Sequence, residues 1–343
     1  MLKCSVVILN WNGEQTLRQF LPSVLTHTHQ EDVEIVVADN GSTDGSLAYL
    51  HTQPVRVVTL EQNYGFAEGY NRAIEQVDAE YVVLLNSDVE VTPHWLDRML
   101  EYMDAHPKVM AAQPKVLSWR SKQLVDKGEE CAIRFEHAGA AGGMMDILGY
   151  PYCKGRLMTH IEEDHGQYDE VAPIFWATGA CLLIRTQAYK EIGGLDANFF
   201  AHQEEIDMCW RLLNRYPFSV FTLPFSVVYH VGGATLGYEN PRKTFLNFRN
   251  NLLMLRKNLP ASRLWWVMVV RFFMDYLAAL QMLMTDQKPN AKSVYQARCE
   301  YHKLKKQYPI SHSASPFADS LIVKRSIVWD FYVMRKRKKL KNI

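Results

Sequence analysis

Two groups of side chains in this 343-residue chain are suited to chemistry: the run Glu204-Glu205-Ile206-Asp207 and the triplet Asn86-Ser87-Asp88. A carboxylate within reach of a hydroxyl can accept its proton. A carboxylate delivered by a rigid strand to the carboxyl edge of an α/β sheet can hold a hard cation and share it with substrate phosphates. Asp88 stands in that second setting, because residues 81–85, Tyr-Val-Val-Leu-Leu, form a continuous apolar run that stops at Asn86. Turn capping by Asp88 is the competing reading. Asp39 ends an earlier apolar run in the same way. It can accept from the N–H of a nucleotide base, or open an Asx-turn into Asn40-Gly41-Ser42.

The elements that must position these residues alternate. Strands are expected at 5–9, 33–38, 56–60 and 81–85, with helices at about 14–26, from Thr43 or Asp44, and through about Gln76. Strands separated by short helices imply crossovers and a doubly wound, mostly parallel sheet. A helix at 93–105 has Pro93 in its first turn. Residues 109–169 read as irregular, with Glu162-Glu163-Asp164-His165 a solvated loop rather than a metal cage. A bend at Gly179 precedes a buried strand, and a helix from Thr186 ends at Gly193-Gly194. Acidic residues at 204–207 suit a helix N-terminus, where the macrodipole favours negative charge. Asp207 and Arg211 can pair on one face, leaving Glu205 on another to point toward a cleft. Short strands are expected at 218–223 and 226–229, the second ending at His230. No G-x-x-x-x-G-K-[ST] occurs and no G-x-G-x-x-G follows the first strand, which weakens P-loop and dinucleotide readings.

Composition narrows the class further. With 48% hydrophobic and 22% charged residues and a net charge of +1, the chain is an ordinary globular protein and not a general nucleic-acid binder. Six cysteines without a C-x-x-C pair imply free thiols in a reducing compartment. No signal-peptide pattern opens the chain. The most apolar segment, 264–285, is interrupted by Arg271 and Asp275. A charge at mid-bilayer costs about 2.5–3.5 kcal/mol, so a spanning helix is not expected and the body is placed in the cytoplasm. Beyond Arg242 the chain reads as helical, aromatic and cationic, ending in Arg-Lys-Arg-Lys-Lys-Leu-Lys at 335–341. That combination fits peripheral contact with an anionic membrane; an appendage packed on the core or a partner is the alternative.

Together these pieces resemble the family 2 glycosyltransferases, inverting enzymes of the GT-A fold, over roughly residues 4–234. Val6-Val7-Ile8-Leu9-Asn10-Trp11-Asn12 is similar to the family's opening strand. Asp39-Asn40-Gly41-Ser42-Thr43-Asp44-Gly45 resembles its D-N-x-S-x-D-G loop, and Asn63-Tyr64-Gly65-Phe66-Ala67 with Asn71 its N-x-G-x-x-x-G-x-N segment. Asn86-Ser87-Asp88 stands where the metal-binding D-x-D lies, and Thr178-Gly179-Ala180 where the acceptor-side turn lies. Glu204-Glu205-Ile206-Asp207 resembles E-D-x-D, and His230 a histidine after the last core strand. Two departures stand out: Asn86 replaces the first acid of D-x-D, and Glu205 replaces an aspartate.

The resemblance, nearest to bacterial rhamnosyltransferases of cell-surface polysaccharide assembly, implies a Rossmann-like GT-A sheet with a C-terminal helical extension. Residues 1–240 would form the catalytic domain, with a nucleotide-sugar half at about 1–115 and an acceptor half at about 116–240. A basic helical region at 241–343 would follow. It assigns Asn10, Asn12, Asp39, Asn63, Gly65, Asn71, Asn86 and Ser87 to the nucleotide, and Asp88 and His230 to Mg2+ or Mn2+. Glu205 becomes the catalytic base, with Glu204 and Asp207 as alternatives. The implied reaction moves a sugar from a nucleoside diphosphate (dTDP or UDP, dTDP-rhamnose included) to a glycan or lipid-linked acceptor. The implied location is the inner face of the plasma membrane. A nucleotidyltransferase would normally carry a glycine-rich basic loop after the first strand, and a non-catalytic sugar-binding protein would not need a cation site together with a base.

Overall fold

The main sheet grows outward from β1 (Leu2–Asn10), in a computed structural model that describes residues 1–232, 240–310 and 316–335. Alternate residues of β1 feed two apolar layers: Val7 joins one, Val6 and Ile8 the other. Burial on both faces explains why the strand sequences are continuously apolar. The chain continues through α1 (Glu14–His27), β2 (Val33–Asp39), α2 (Ser46–Leu50), β3 (Arg56–Thr59), α3 (Gly65–Ile74) and β4 (Ala79–Asn86). The order β3-β2-β1-β4 is parallel throughout, with Asn10 opposite Asp39 and Leu9 opposite Asn86. Asn10, Asp39 and Asn86 therefore end on one rim.

The second half is mixed. It comprises β5 (Val89–Val91), α4 (Asp97–Ala105), β6 (Ala111–Ser118) and α5 (Trp119–Asp126). A small sheet follows, built from β7 (Gly143–Asp146), β8 (Pro151–Cys153), β9 (Arg156–Leu157) and β10 (His160–Ile161). Then come β11 (Ala172–Pro173), β12 (Cys181–Arg185), α6 (Thr186–Glu191), α7 (Glu204–Arg215) and β13 (Val220–His230). β12 runs antiparallel between β4 and β6, and β13 is parallel to β6, so only the first half of the sheet is wholly parallel.

Three local expectations are corrected. α4 starts at Asp97 rather than Pro93, because Trp95 and Leu96 are taken into the core from a turn. The two strands expected at 218–229 are one strand with a register shift between Leu223 and Val227, where Pro224 lacks a ladder N–H. Residues 109–169, expected to be irregular, contain β6, α5 and the small sheet. In the acidic loop, Asp164 accepts from Lys115 at 2.9 Å.

The C-terminal elements are α8 (Pro241–Asn258), α9 (Ala261–Met284), α10 (Lys288–Leu304), α11 (Pro316–Ser320), β14 (Ile322–Val323) and α12 (Ile327–Tyr332). Leu252, Leu253, Met254 and Leu255 of α8 expose no surface and join the core layer that contains Val7. β14 completes the small sheet beside β7. No disulfide links the six cysteines. Gly233, Ala234 and the basic run from Lys336 onward lie outside the described residues.

Candidate active site

After Asn86-Ser87-Asp88 the chain reverses, and β5 pairs antiparallel with the end of β13, setting Val89 opposite His230. That register places His230 Nε2 3.1 Å from Asp88 Oδ1 and 3.4 Å from Asn86 Nδ2. On the other side of the ring, Nδ1 lies 3.4 Å from Glu136 Oε2, an ion-pair contact without good hydrogen-bond alignment. Glu136 also accepts from the Ala138 N–H. Asp88, Glu136 and His230 are all buried. Burial alone would push the imidazole pKa down, but Asp88 and Glu136 outweigh it and raise it to about 10. The two carboxyls are in turn held below their ordinary range by His230, against their own burial. The ring is thus an imidazolium between two carboxylates.

The carboxylates of α7 divide differently. Gln203, in the left-handed region at φ 73°, turns the chain into the helix. Glu204 is buried and Glu205 half-buried, and Oε2 of each has no hydrogen-bond partner. Burial lifts Glu205 to about 7; burial and then the charge of Glu205 lift Glu204 well above the carboxylate range. Asp207, two residues on, exposes nothing yet is fully partnered. It accepts from Arg211 Nε at 2.8 Å, Lys257 Nζ at 3.0 Å and Asn258 Nδ2 at 2.8 Å. Burial works against its charged form, but Arg211 and Lys257 hold it below the usual range.

The turn Thr178-Gly179-Ala180 joins these two centres. Asn86 N donates to the Ala180 carbonyl at 3.0 Å. A methyl group added at Gly179 would come within 3.0 Å of the Phe66 ring and 3.9 Å of Glu205 Cβ. Glu205 Cβ therefore lies beside the turn whose Ala180 carbonyl meets Asn86 at the end of β4.

The loops after β1 and β2 are laced together. Asn10 Nδ2 donates to Asp39 Oδ2 at 3.0 Å, Ser42 N to Asp39 Oδ1 at 2.9 Å, and Thr43 N to Asn12 Oδ1 at 2.7 Å. Asn63 Oδ1 accepts from Gly65 N at 2.8 Å and from Asn40 Nδ2 at 3.2 Å. Gly65 has φ 80°, and a Cβ there would strike the Phe200 ring at 2.5 Å, so this position needs glycine. Trp11 stands 47% exposed on the same rim, between Asn10 and Asn12.

The sequence profile described as Glycosyl transferase family 2 matches residues 5–125, which hold this rim from β1 through Asp88. Residues 5–125 thus resemble a family 2 glycosyltransferase domain. It is 28% identical over 243 residues to the N-acetylglucosaminyl-diphospho-decaprenol L-rhamnosyltransferase of Mycobacterium tuberculosis, covering 67% of this chain and 76% of that one. Similarity to the O-antigen biosynthesis protein RfbC of Myxococcus xanthus is 26% over 218 residues, covering 61% of this chain and 16% of that protein. Among solved structures, GalNAc-T7 with UDP, GalNAc and Mn2+ superposes with a TM-score of 0.57 at 16% identity, over 90% of this chain and 58% of that one. Residues 1–349 of Staphylococcus aureus TarS in complex with UDP-GlcNAc give 0.53 at 16% identity, over 90% and 91%. The glycosyltransferase has the GT-A fold.

In this glycosyltransferase the expected residues separate into groups. Asp88, His230, Asn86 and Ser87 converge at one rim, with Glu205 beside the 178–180 turn and Glu204 adjacent in the chain. Three of the expected residues are engaged by other parts of the protein. Asn71 faces away from the rim: it donates to Leu195 O at 2.9 Å and accepts from Leu195 N at 3.0 Å and the Tyr189 hydroxyl at 2.6 Å, clamping the loop before α7. Asp39 is wholly buried, and both its oxygens accept hydrogen bonds within the loops. Asp207 is held ionised by Arg211 and Lys257. Glu136 escaped the sequence reading because nothing in residues 131–139 marks it; only the fold carries it to His230. Trp11 was legible as an exposed aromatic at a strand end.

Proposed function

We propose that the enzyme is a metal-dependent, inverting glycosyltransferase of bacterial cell-surface polysaccharide synthesis. Its donor is a dTDP- or UDP-sugar, dTDP-rhamnose included, and its acceptor a glycan or lipid-linked saccharide at the inner face of the plasma membrane. The observation that carries this reading is the pairing of Asp88 with His230 at 3.1 Å, on a rim joined by the 178–180 turn to Glu205, whose Oε2 has no hydrogen-bond partner.

Asp88 and His230 fit a divalent cation as an open half-site. One carboxylate oxygen and one imidazole nitrogen leave room for phosphate oxygens, as Mg2+ and Mn2+ prefer. Among the described residues no set of three His, Cys, Asp or Glu side chains closes a metal cage, in keeping with ligands shared with substrate. A bound cation supplies charge neutralisation to the departing diphosphate. His230 must give up its extra proton to serve as a ligand, and Asp88 and Glu136 remain to balance the charge. Trp11 offers a flat face for the nucleotide base at the same rim.

Glu205 acts as general base. Its value near 7 leaves it able to be ionised, yet basic enough to take the acceptor hydroxyl proton as that oxygen attacks the anomeric carbon. The bond from the anomeric carbon to the diphosphate oxygen breaks on the opposite face, so configuration inverts. The similarity to a rhamnosyltransferase named for a lipid-diphosphate sugar supports a lipid-linked acceptor here. The test is Glu205→Gln assayed with a panel of nucleotide sugars and Mn2+: transfer should be lost with donor binding retained, and wild-type turnover in this variant sinks the assignment. Synthesis of nucleotide sugar from a sugar phosphate would instead favour the nucleotidyltransferase alternative.

A further inference from the structure

α9 has two faces of opposite character. Leu264, Val267, Arg271, Asp275 and Ala279 are buried against the body. On the other side Trp265, Val269, Phe272, Phe273, Leu277 and Leu280 recur at three- and four-residue spacing and are 46–68% exposed. The stripe holds no charge and runs about 22 Å along the helix at 1.5 Å per residue.

By length and composition α9 could cross a bilayer: it has 24 residues, and its most apolar 18-residue stretch has a mean hydropathy of 1.6. Its two mid-helix charges, Arg271 and Asp275, decide otherwise, though not by facing lipid. Arg271 donates to Asp275, to the Asn251 side chain of α8 and to the Leu148 carbonyl, and Arg298 of α10 donates to Asp275. All three ion-pair members are almost wholly buried, and α8 is itself part of the sheet's core. A perpendicular crossing would tear α9 from these partners and leave its buried charges unpaired. A helix lying in the membrane plane keeps the network and covers only the apolar stripe.

The flanks name the occupant. α10, held to α9 by the Arg298–Asp275 pair, exposes Lys292 one turn on from Lys288; Lys288 and Lys303 are 75% and 74% exposed, paired at 3.4 Å with Asp286 and Glu300 in contacts that solvent weakens. The chain's last basic run, 335–341, adds six cationic residues in seven. Cations beside an apolar stripe match anionic lipid headgroups; two copies meeting face to face would bring these like charges together. We propose that α9 is an in-plane anchor, its Trp265–Leu280 stripe sunk into the interface of an anionic bilayer and the lysines of α10 set at the headgroups. This rests on the proposed use of a lipid-linked acceptor for its purpose.

The full chain is floated with vesicles of phosphatidylcholine containing about one-third phosphatidylglycerol, and with pure phosphatidylcholine. The wild type should float with the anionic vesicles and be released by carbonate at high pH. The double variant Phe273→Glu/Leu277→Glu, on exposed positions, should lose at least about tenfold in bound fraction while hydrolysing donor at the wild-type rate. Lys288→Glu/Lys292→Glu should lose the preference for anionic vesicles. The proposal is overturned if the wild type does not float, if the Phe273/Leu277 variant floats equally well, if carbonate fails to release the protein, or if the wild type is a dimer that this variant splits. Vesicle binding without any sugar transfer would overturn the proposed reaction and leave the anchor standing.

Discussion

Asp88 and Glu136 flank an imidazole, whereas Glu204 and Glu205, neighbours at the start of α7, each leave one oxygen without a partner, and electrostatics treats the two pairs in opposite ways. At the first pair a buried cation pulls both carboxyls down and keeps them ionised. At the second, burial without a cation pushes both up. An ionised carboxylate suits a standing ligand; one balanced near neutrality suits a proton acceptor. Asp207 sharpens the contrast because it shares a helix with Glu205 yet behaves like Asp88, having Arg211 and Lys257 at hand. Partners, more than position in the chain, set the role.

The contrast can be broken most forcefully at Glu205. Glu205→Gln should lower transfer by about 10²–10⁴-fold, with donor affinity unchanged by calorimetry, and wild-type transfer should rise with pH through an inflection near 7. Asp207→Ala should instead strike stability, removing about 3–5 kcal/mol in denaturant unfolding, because Arg211 and Lys257 lose their buried partner. A loss of turnover without a loss of stability in that variant would reverse the roles assigned on α7. Glu136→Gln should weaken Mn2+ binding about 10–100-fold, as expected when the partner of a ligating imidazole is removed, with melting temperature little changed.

The smallest effects are in pH dependence, and their signs follow from both values being raised on folding. In the metal-free enzyme the contribution of His230 is complete below about 6.5 and is lost as pH rises through about 10. Glu205 likewise contributes most below about 4.5 and loses it through about 7, so Glu205→Gln should melt above the wild type at pH 8 and alongside it at pH 4.5. Cation affinity should climb between pH 6.5 and pH 8.5, as the proton on His230 becomes easier to displace. Calorimetric titrations with Mn2+ at the two values would show it.

Strand ends are legible in the sequence because burial on both faces makes their apolar runs continuous, and the break to polar residues at Asn86 marks the rim. Helix N-terminal acids are legible for a similar local reason. Asn71 shows the limit: its motif reads as ligand-facing, but Leu195 and Tyr189, remote in the chain, claim its side chain. Hydropathy also misplaced the weight of Arg271 and Asp275, which it counts as obstacles to lipid although both turn inward.

What the sequence determines alone is therefore the parallel first half of the sheet, the rim positions of Asp39 and Asp88, the carboxylates that open α7 and the family resemblance. These follow from periodicity and neighbours within a few residues. Only the tertiary structure decides that His230 meets Asp88 and Glu136, that Asp207 is neutralised while Glu205 is not, and that α9 turns its charges inward. Each of those depends on which remote side chain fills the space next to a buried charge, and sequence spacing carries no record of that distance.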